Sequence, residues 1–417
     1  MSSAGGSRPL WLLLLPTLPR EITPGSIRSF YASTLGQVLQ KAADTSSSFQ
    51  TVTILDIAVP CNAGNPLEPF YYSALQNLLG QLYKLIGLLC AEHSIDVQYG
   101  NDVDVRVLLF KEAKTEGPLN ETVQAVEDDP SIGPFVSLRR LARCGRPWQR
   151  VCSTDGDDGE ILLQLFLRLR NEAVDDSKGK IVIERFTLEP SYPASTSLET
   201  PATDVQVIRD HHNAVAVGGT FDHLHVGHKL LLSMTALVLN YNVQPGVKAE
   251  RSLIVGITGD KLLENKKFCE HLQGWHQRQA AVQSFLLAFL VVNEPLQNLS
   301  STMDEKKESS LGRIVMNSLP SGIVIEYVEI FDAFGPTITN GSISALVLSA
   351  ETRAGGKAVN EKRAEKQWTS LDIFEVDVLD SAEAIPATSD LGTQDFRNKL
   401  SSTEIRRRLA KKSGTAD

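Results

Sequence analysis

At 417 residues the chain is longer than one ordinary hydrophobic core sustains, so two domains are expected, with three also allowed by the length. A formal net charge of −9 and a pI near 5.5 argue against a general nucleic-acid binder, which needs a basic face against phosphates. Five scattered cysteines without CxxC spacing argue against a disulfide framework or a zinc site, and fit reduced thiols in the cytoplasm, with the nucleus also open.

The apolar run at residues 11–15 is too short to span a bilayer and is followed by Pro16 and Pro19. It reads as a buried strand rather than a leader, and no membrane association is expected. Residues 51–59, 105–110, 161–167 and 181–188 are strand-like. Between the first two, Leu75, Leu78, Leu79, Leu82, Leu85, Ile86 and Leu89 recur at helical spacing and predict a core helix. Residues 127–129 and 155–160 read as solvated acidic loops. Asp155, Asp157 and Asp158 lack the ligand spacing and closing Glu of a calcium loop, so no protein metal site is expected. Residues 1–190 thus predict a mixed α/β domain whose role no motif reveals. The Ser-, Thr- and Pro-rich stretch that follows has the composition of a linker, placed at 191–204.

From residue 205 to 417 strands and helices alternate. Strands are expected at 214–217, 253–257, 323–330, 345–348 and 371–378, and helices at 227–239, 275–290 and 403–412. Nearly continuous apolar strands in this alternation predict an α/β fold with a doubly wound, parallel, Rossmann-like sheet. Its ligand site belongs beyond the carboxyl ends of the strands, at a topological switch. Residues 300–310, rich in Ser, Glu and Lys, read as a surface loop. No G-x-x-x-x-G-K-[ST] sequence occurs, so a P-loop kinase is not expected.

Four clusters carry chemistry. In the first, a β-branched strand ends at Gly218 and Gly219, followed by Thr220, Phe221 and then His225 and His228 around Gly227 at a helix start. A helix N-terminus binds phosphate oxygens through unpaired amides and the positive end of its dipole. Thr220 adds a hydroxyl, and the glycines allow close backbone approach. The isolated His211, His212 and His276 read as ordinary packed or exposed residues. In the second cluster, Lys266 and Lys267 follow the strand at 253–257, where an ammonium can hold a phosphate as a point charge. Which lysine reaches the ligand is open. The third cluster runs from Ser349 through Glu351, Thr352, Gly355, Gly356 and Asn360 to Arg363, after the strand at 345–348. The fourth joins Ser401, Ser402, Thr403 and Glu404, which resemble a capping box, to Arg406, suited to clamping phosphates. Arg407 and Arg408 read as solvent-facing.

The run GTFDHLHVGH looks like the signature of the class I nucleotidyltransferases. Together with TGDKLLENKK, SAETRAGGKAVNEKR and KLSSTEIRRRL it resembles the phosphopantetheine adenylyltransferases of the eukaryotic type, close to the monofunctional fungal enzymes. The resemblance covers about residues 205–409. It implies transfer of AMP from ATP to 4′-phosphopantetheine, giving dephospho-CoA and pyrophosphate in coenzyme A biosynthesis. By position it implies that His225, His228, Lys267 and Arg406 are catalytic and that Thr220 and Lys266 meet the acceptor phosphate. It further implies that Gly218, Gly219, Phe221, Gly227, Glu351, Thr352, Gly355, Gly356, Asn360, Arg363, Ser401, Ser402 and Thr403 bind ATP. Mg2+ would arrive with ATP, and the later kinase step would fall to a separate protein. Two alternatives stay open: a related enzyme using another phosphate acceptor or CTP, and a nucleotide-binding scaffold that gathers other enzymes of coenzyme A synthesis.

Overall fold

Five consecutive apolar residues at Leu10–Leu14 (β1) are all buried because the strand has a parallel neighbour on each side. A computed structural model describes residues 8–16, 22–61, 72–96, 102–111, 134–171, 181–187, 212–241, 250–291, 305–309, 312–319, 321–377 and 401–414. Around β1 lie β2 (Thr53–Cys61), β3 (Val103–Lys111), β4 (Phe135–Ser137), β5 (Arg150–Thr154) and β6 (Val182–Phe186). The sheet order is β4-β3-β2-β1-β5-β6, and every pairing is parallel. Parallel neighbours need crossover connections. The helices α1 (Pro24–Phe49), α2 (Tyr72–Glu92), α3 (Leu138–Arg143) and α4 (Asp157–Asn171) serve this sheet.

Helix α4 corrects two expectations, a loop at 155–160 and a strand at 161–167. Asp157, Asp158 and Glu160 sit in its first turn and Arg168 and Arg170 in its last, each charge favoured by the helix dipole. Leu163, Phe166, Leu169 and Arg170 are its buried face. The apolar run at 161–167 is part of a helical stripe, and α4 is the crossover that lets β5 and β6 pair in parallel. The expected linker and the loop at 127–129 lie outside the described residues.

The second sheet begins at β7 (Ala214–Gly219) and adds β8 (Arg251–Thr258), β9 (Glu305–Ser309), β10 (Gly312–Ser318), β11 (Ile323–Ile330), β12 (Ala345–Ser349) and β13 (Asp372–Val376). Its order is β13-β12-β7-β8-β11-β10-β9. The five strands β13-β12-β7-β8-β11 run parallel, while β10 is antiparallel to both β11 and β9. Part of the loop expected at 300–310 is therefore an edge strand, since an antiparallel partner needs only a short connection. The chain leaves β7 towards β8 and β11 and later returns to β12 on the opposite side of β7. The topological switch thus falls between β7 and β12.

Among the described residues this sheet is accompanied by α5 (Val226–Val238), α6 (Trp275–Leu290), α7 (Arg353–Glu365) and α8 (Ser402–Ser413). Helix α5 packs on β7 and β12 from one side and on α2 of the N-terminal half from another, while α6 meets β8, β11 and also β3. The two halves therefore share one continuous cluster of buried apolar residues. Almost every residue of α5 is buried, as its all-round apolar composition requires. Among the described residues no helix is long and apolar enough to cross a membrane.

Candidate active site

Beyond the carboxyl ends of β7 and β12 lies a cavity of about 620 Å3, within the size range of cofactor and small-ligand sites. Its floor is the turn after β7. A side chain on Gly218 would meet nothing, so that glycine leaves open space; one on Gly219 would press against the Phe221 ring at 3.0 Å. Phe221 (φ 53°) and His223 (φ 47°) both adopt left-handed backbone, uncommon for bulky residues. The Phe221 ring is fully buried, 5.4 Å from the ring of His228. The turn is held from beneath: Arg278, buried on α6, donates to the carbonyls of Thr220 (2.8 Å) and Gln273 (2.9 Å) and to Asp260 Oδ1 (2.7 Å). Thr258 Oγ1 donates to the Gly219 carbonyl at 3.2 Å.

His225 is the N-cap residue of α5 but makes no side-chain cap bond, leaving the first-turn amides free for a ligand. Its ring stacks on that of His228, with centroids 3.9 Å apart and an interplanar angle of 22°. Gly227 permits this arrangement, since a Cβ there would sit 3.2 Å from the His225 ring. Burial, with the charges of Lys229 and His223 adding to it, holds the His225 imidazole down at a pKa of about 3. Burial also holds His228 well below its usual value, seconded by His225 and His223. Both rings are thus neutral at pH 7, and the Nδ1 atom of each is buried without a hydrogen-bond partner. Such atoms ask for a ligand, because an unmet buried polar group costs about 1–3 kcal/mol.

Helix α8 brings a second N-terminus to the cavity. Ser401 caps it by accepting from the Glu404 amide at 3.2 Å, and Ser402 Oγ donates to the Asp222 carbonyl at 2.8 Å. Asp222 is fully buried; Oδ2 accepts from Arg406 at 2.5 Å and Oδ1 from the Gln273 amide at 3.0 Å. Arg406 also donates to the Lys267 carbonyl (3.0 Å) and to Thr403 Oγ1 (3.2 Å). Its guanidinium reaches the cavity wall, but its bonds are spent on docking α8. Glu404 is taken by ion pairs to Arg407 and Arg408.

Of the residues expected at a ligand site, the structure gathers Gly218, Gly219, Thr220, Phe221, His225, Gly227, His228, Lys266, Glu351, Thr352, Ser401, Ser402, Thr403 and Arg406 around one cavity. It does not bring Lys267, Gly355, Gly356, Asn360 or Arg363 to the lining. Gly356 lets α7 close onto the sheet, where a Cβ would lie 2.8 Å from the Leu348 side chain. Asn360 exchanges hydrogen bonds with the backbone of Leu371 at 3.0 and 2.8 Å. Arg363 is buried and donates to the carbonyls of Thr337, Thr369 and Ile343 at 2.8, 2.8 and 3.1 Å. Gly356, Asn360 and Arg363 therefore serve packing and buried hydrogen bonds within this half, while Gly355 is exposed. Asp222, Arg278 and Lys229 were not among the expected site residues. Arg278 had one local signal: a cation in the first turn of a helix is opposed by the dipole, so it needs acceptors elsewhere.

A family described as a domain of unknown function (DUF8446) matches residues 1–184. Over 197 residues the chain is 36% identical to an uncharacterized protein of Schizosaccharomyces pombe, which covers 47% of this chain and 48% of that one. It is 32% identical, over the same length and shares, to a Saccharomyces cerevisiae protein named phosphopantetheine adenylyltransferase. A protein of that name from Thermococcus kodakarensis is 26% identical over 174 residues, 42% of this chain and 80% of its own. The chain spans about half the length of the first two relatives.

Proposed function

We propose that the chain is a nucleotidyltransferase of coenzyme A synthesis, moving AMP from ATP to 4′-phosphopantetheine. The observation that carries this reading is the pair of neutral, stacked histidines at the N-terminus of α5, their Nδ1 atoms unmet, in the cavity at the sheet's switch point. The names of the relatives supply the substrates.

In the proposed reaction an oxygen of the acceptor phosphate bonds to the α-phosphorus of ATP. The bond from that phosphorus to the bridging oxygen breaks, and pyrophosphate leaves with the electron pair. The protein's task is alignment and stabilisation of charge on the phosphoryl oxygens. A neutral imidazole carries one N–H, so His225 and His228 can each donate to a phosphate oxygen without first gaining a proton. The free amides of the α5 and α8 N-termini add donors, and Lys266 supplies the positive charge for a phosphate. Thr220 stands at the strand end to orient the acceptor.

Mg2+ is expected to enter on the triphosphate. Both oxygens of the Asp222 carboxylate are engaged, and among the described residues no three His, Cys, Asp or Glu side chains form a metal cluster. Glu351 on the cavity wall is a carboxylate that fits an ion carried on phosphates. The ion would neutralise charge on the triphosphate.

Pyrophosphate release from ATP and Mg2+, followed with and without 4′-phosphopantetheine, tests the reading. Acceptor-dependent release with dephospho-CoA as product is expected. Release with CTP or another phosphate ester alone would overturn the substrates, and silence with every pair despite ATP binding would overturn the enzyme in favour of a scaffold.

A further inference from the structure

Lys229 follows His228 directly, and its side chain is fully buried away from the cavity. Its ammonium donates to Asp104 Oδ1 at 2.7 Å and to the Val105 carbonyl at 2.8 Å, both on β3 of the N-terminal half. Asp104 Oδ2 in turn accepts two bonds from Arg106, at 3.1 and 2.8 Å, and Arg106 reaches Ser284 on α6 at 3.2 Å. Asp104 of the N-terminal sheet therefore holds α5 through Lys229 and, by way of Arg106, is linked to α6. A second tie reaches the cavity itself: Gln76 on α2 donates to Asp377 Oδ2 at 2.8 Å, and Asp377 lines the cavity.

We propose that the N-terminal half is a working part of the site, in which Asp104 is a positioning residue that sets the two histidines of α5 through Lys229. The inference rests on the nucleotidyl-transfer reading for its kinetic part. Apolar contact alone would glue α5 to α2 and β3, and a buried ion pair is often replaceable by apolar residues at no cost in stability. What the pair adds is direction. Two short hydrogen bonds from a single ammonium fix the rotation and axial height of α5 at the residue beside His228. With 3.6 residues per turn and 1.5 Å of rise each, any slip of α5 moves both imidazoles together.

The test uses the full chain with Asp104→Asn, Lys229→Met and the double variant. Asp104→Asn leaves the Lys229 ammonium and Arg106 both without a carboxylate and can fail to fold, whereas Lys229→Met leaves Asp104 paired with Arg106. In the double the ammonium is gone and the amide oxygen at 104 can still accept from Arg106, so it is expected to recover most of the melting temperature. In that refolded double variant, kcat is expected to stay on the order of tenfold to 10²-fold below wild type, with KM for ATP little changed, since a misplacement near 1 Å carries such a penalty. Recovery of kcat together with the melting temperature would make the pair merely structural and overturn the proposal. Wild-type activity, assayed alongside, reports separately on the reaction. Should wild type be inactive, 13Cε1-labelled histidines give the second readout. Displaced ring signals of His225 and His228 in the double variant, with the other histidines unmoved, support positioning, and unmoved signals for this pair overturn it.

Discussion

Two imidazoles stacked 3.9 Å apart cannot both carry charge cheaply, and neither is charged in the folded chain at neutral pH. When unfolded, each takes a proton near pH 6.5, so the unfolded state binds more protons below that value. The stability held by the neutral pair is fully present above about pH 6.5 and is lost as pH falls from there towards 3. Acidification from pH 7 to 5 should cost about 1–2 kcal/mol through His225, with His228 acting in the same direction. Chemical unfolding of wild type and of the double variant His225→Asn, His228→Asn at both pH values checks this. The variant should lose distinctly less, whereas equal losses would contradict the assigned protonation. This pair was legible in the sequence because its members are three residues apart in one helix start. The partners that hold the site were not: Arg406 meets Asp222 across 184 residues of chain, and Lys229 meets Asp104 across 125.

Among the described elements, α8 leans heavily on one buried ion pair. Only its Ile405, Arg406 and Ala410 are buried, so the Asp222–Arg406 pair bears much of its docking. Removing one partner of a buried pair costs about 3–5 kcal/mol. Asp222→Ala should destabilise the chain by an amount of that order and speed amide exchange in Ser402–Ser413 beyond the rest of the second sheet. Unchanged protection there would contradict the docking role. Helix α7 shows the opposite limit of sequence reading. Asn360 and Arg363 look like parts of a ligand site because they are polar and follow a strand, yet the hydrogen bonds of these two close on the backbone of the same half. Spacing marks such residues as special without saying whether the partner is a ligand or a buried carbonyl. Helix α1 is a plainer omission: its Pro24 start, the Thr23–Ser26 capping box and the buried Ile27, Tyr31, Leu35, Val38, Leu39 and Ala42 were all readable.

At the scale of the molecule, two α/β halves were expected from length and alternation, and two sheets are present. Their union was harder to foresee. A helix was expected at 227–239, but α5 is apolar all round, a composition that needs cover on more than one side. That cover comes from α2 and the core is continuous across both halves. Calorimetry of the full chain should therefore give one cooperative transition, and two well-separated transitions would contradict the shared core.

The stacked pair is tested most sharply by the turnover of His228→Ala with ATP, Mg2+ and 4′-phosphopantetheine, at a melting temperature and ATP affinity close to wild type. Loss of a preorganised donor to the developing charge should lower kcat on the order of 10²–10³-fold. Turnover near the wild-type value would contradict the role given to the stacked pair, and with it the proposed chemistry of the cavity.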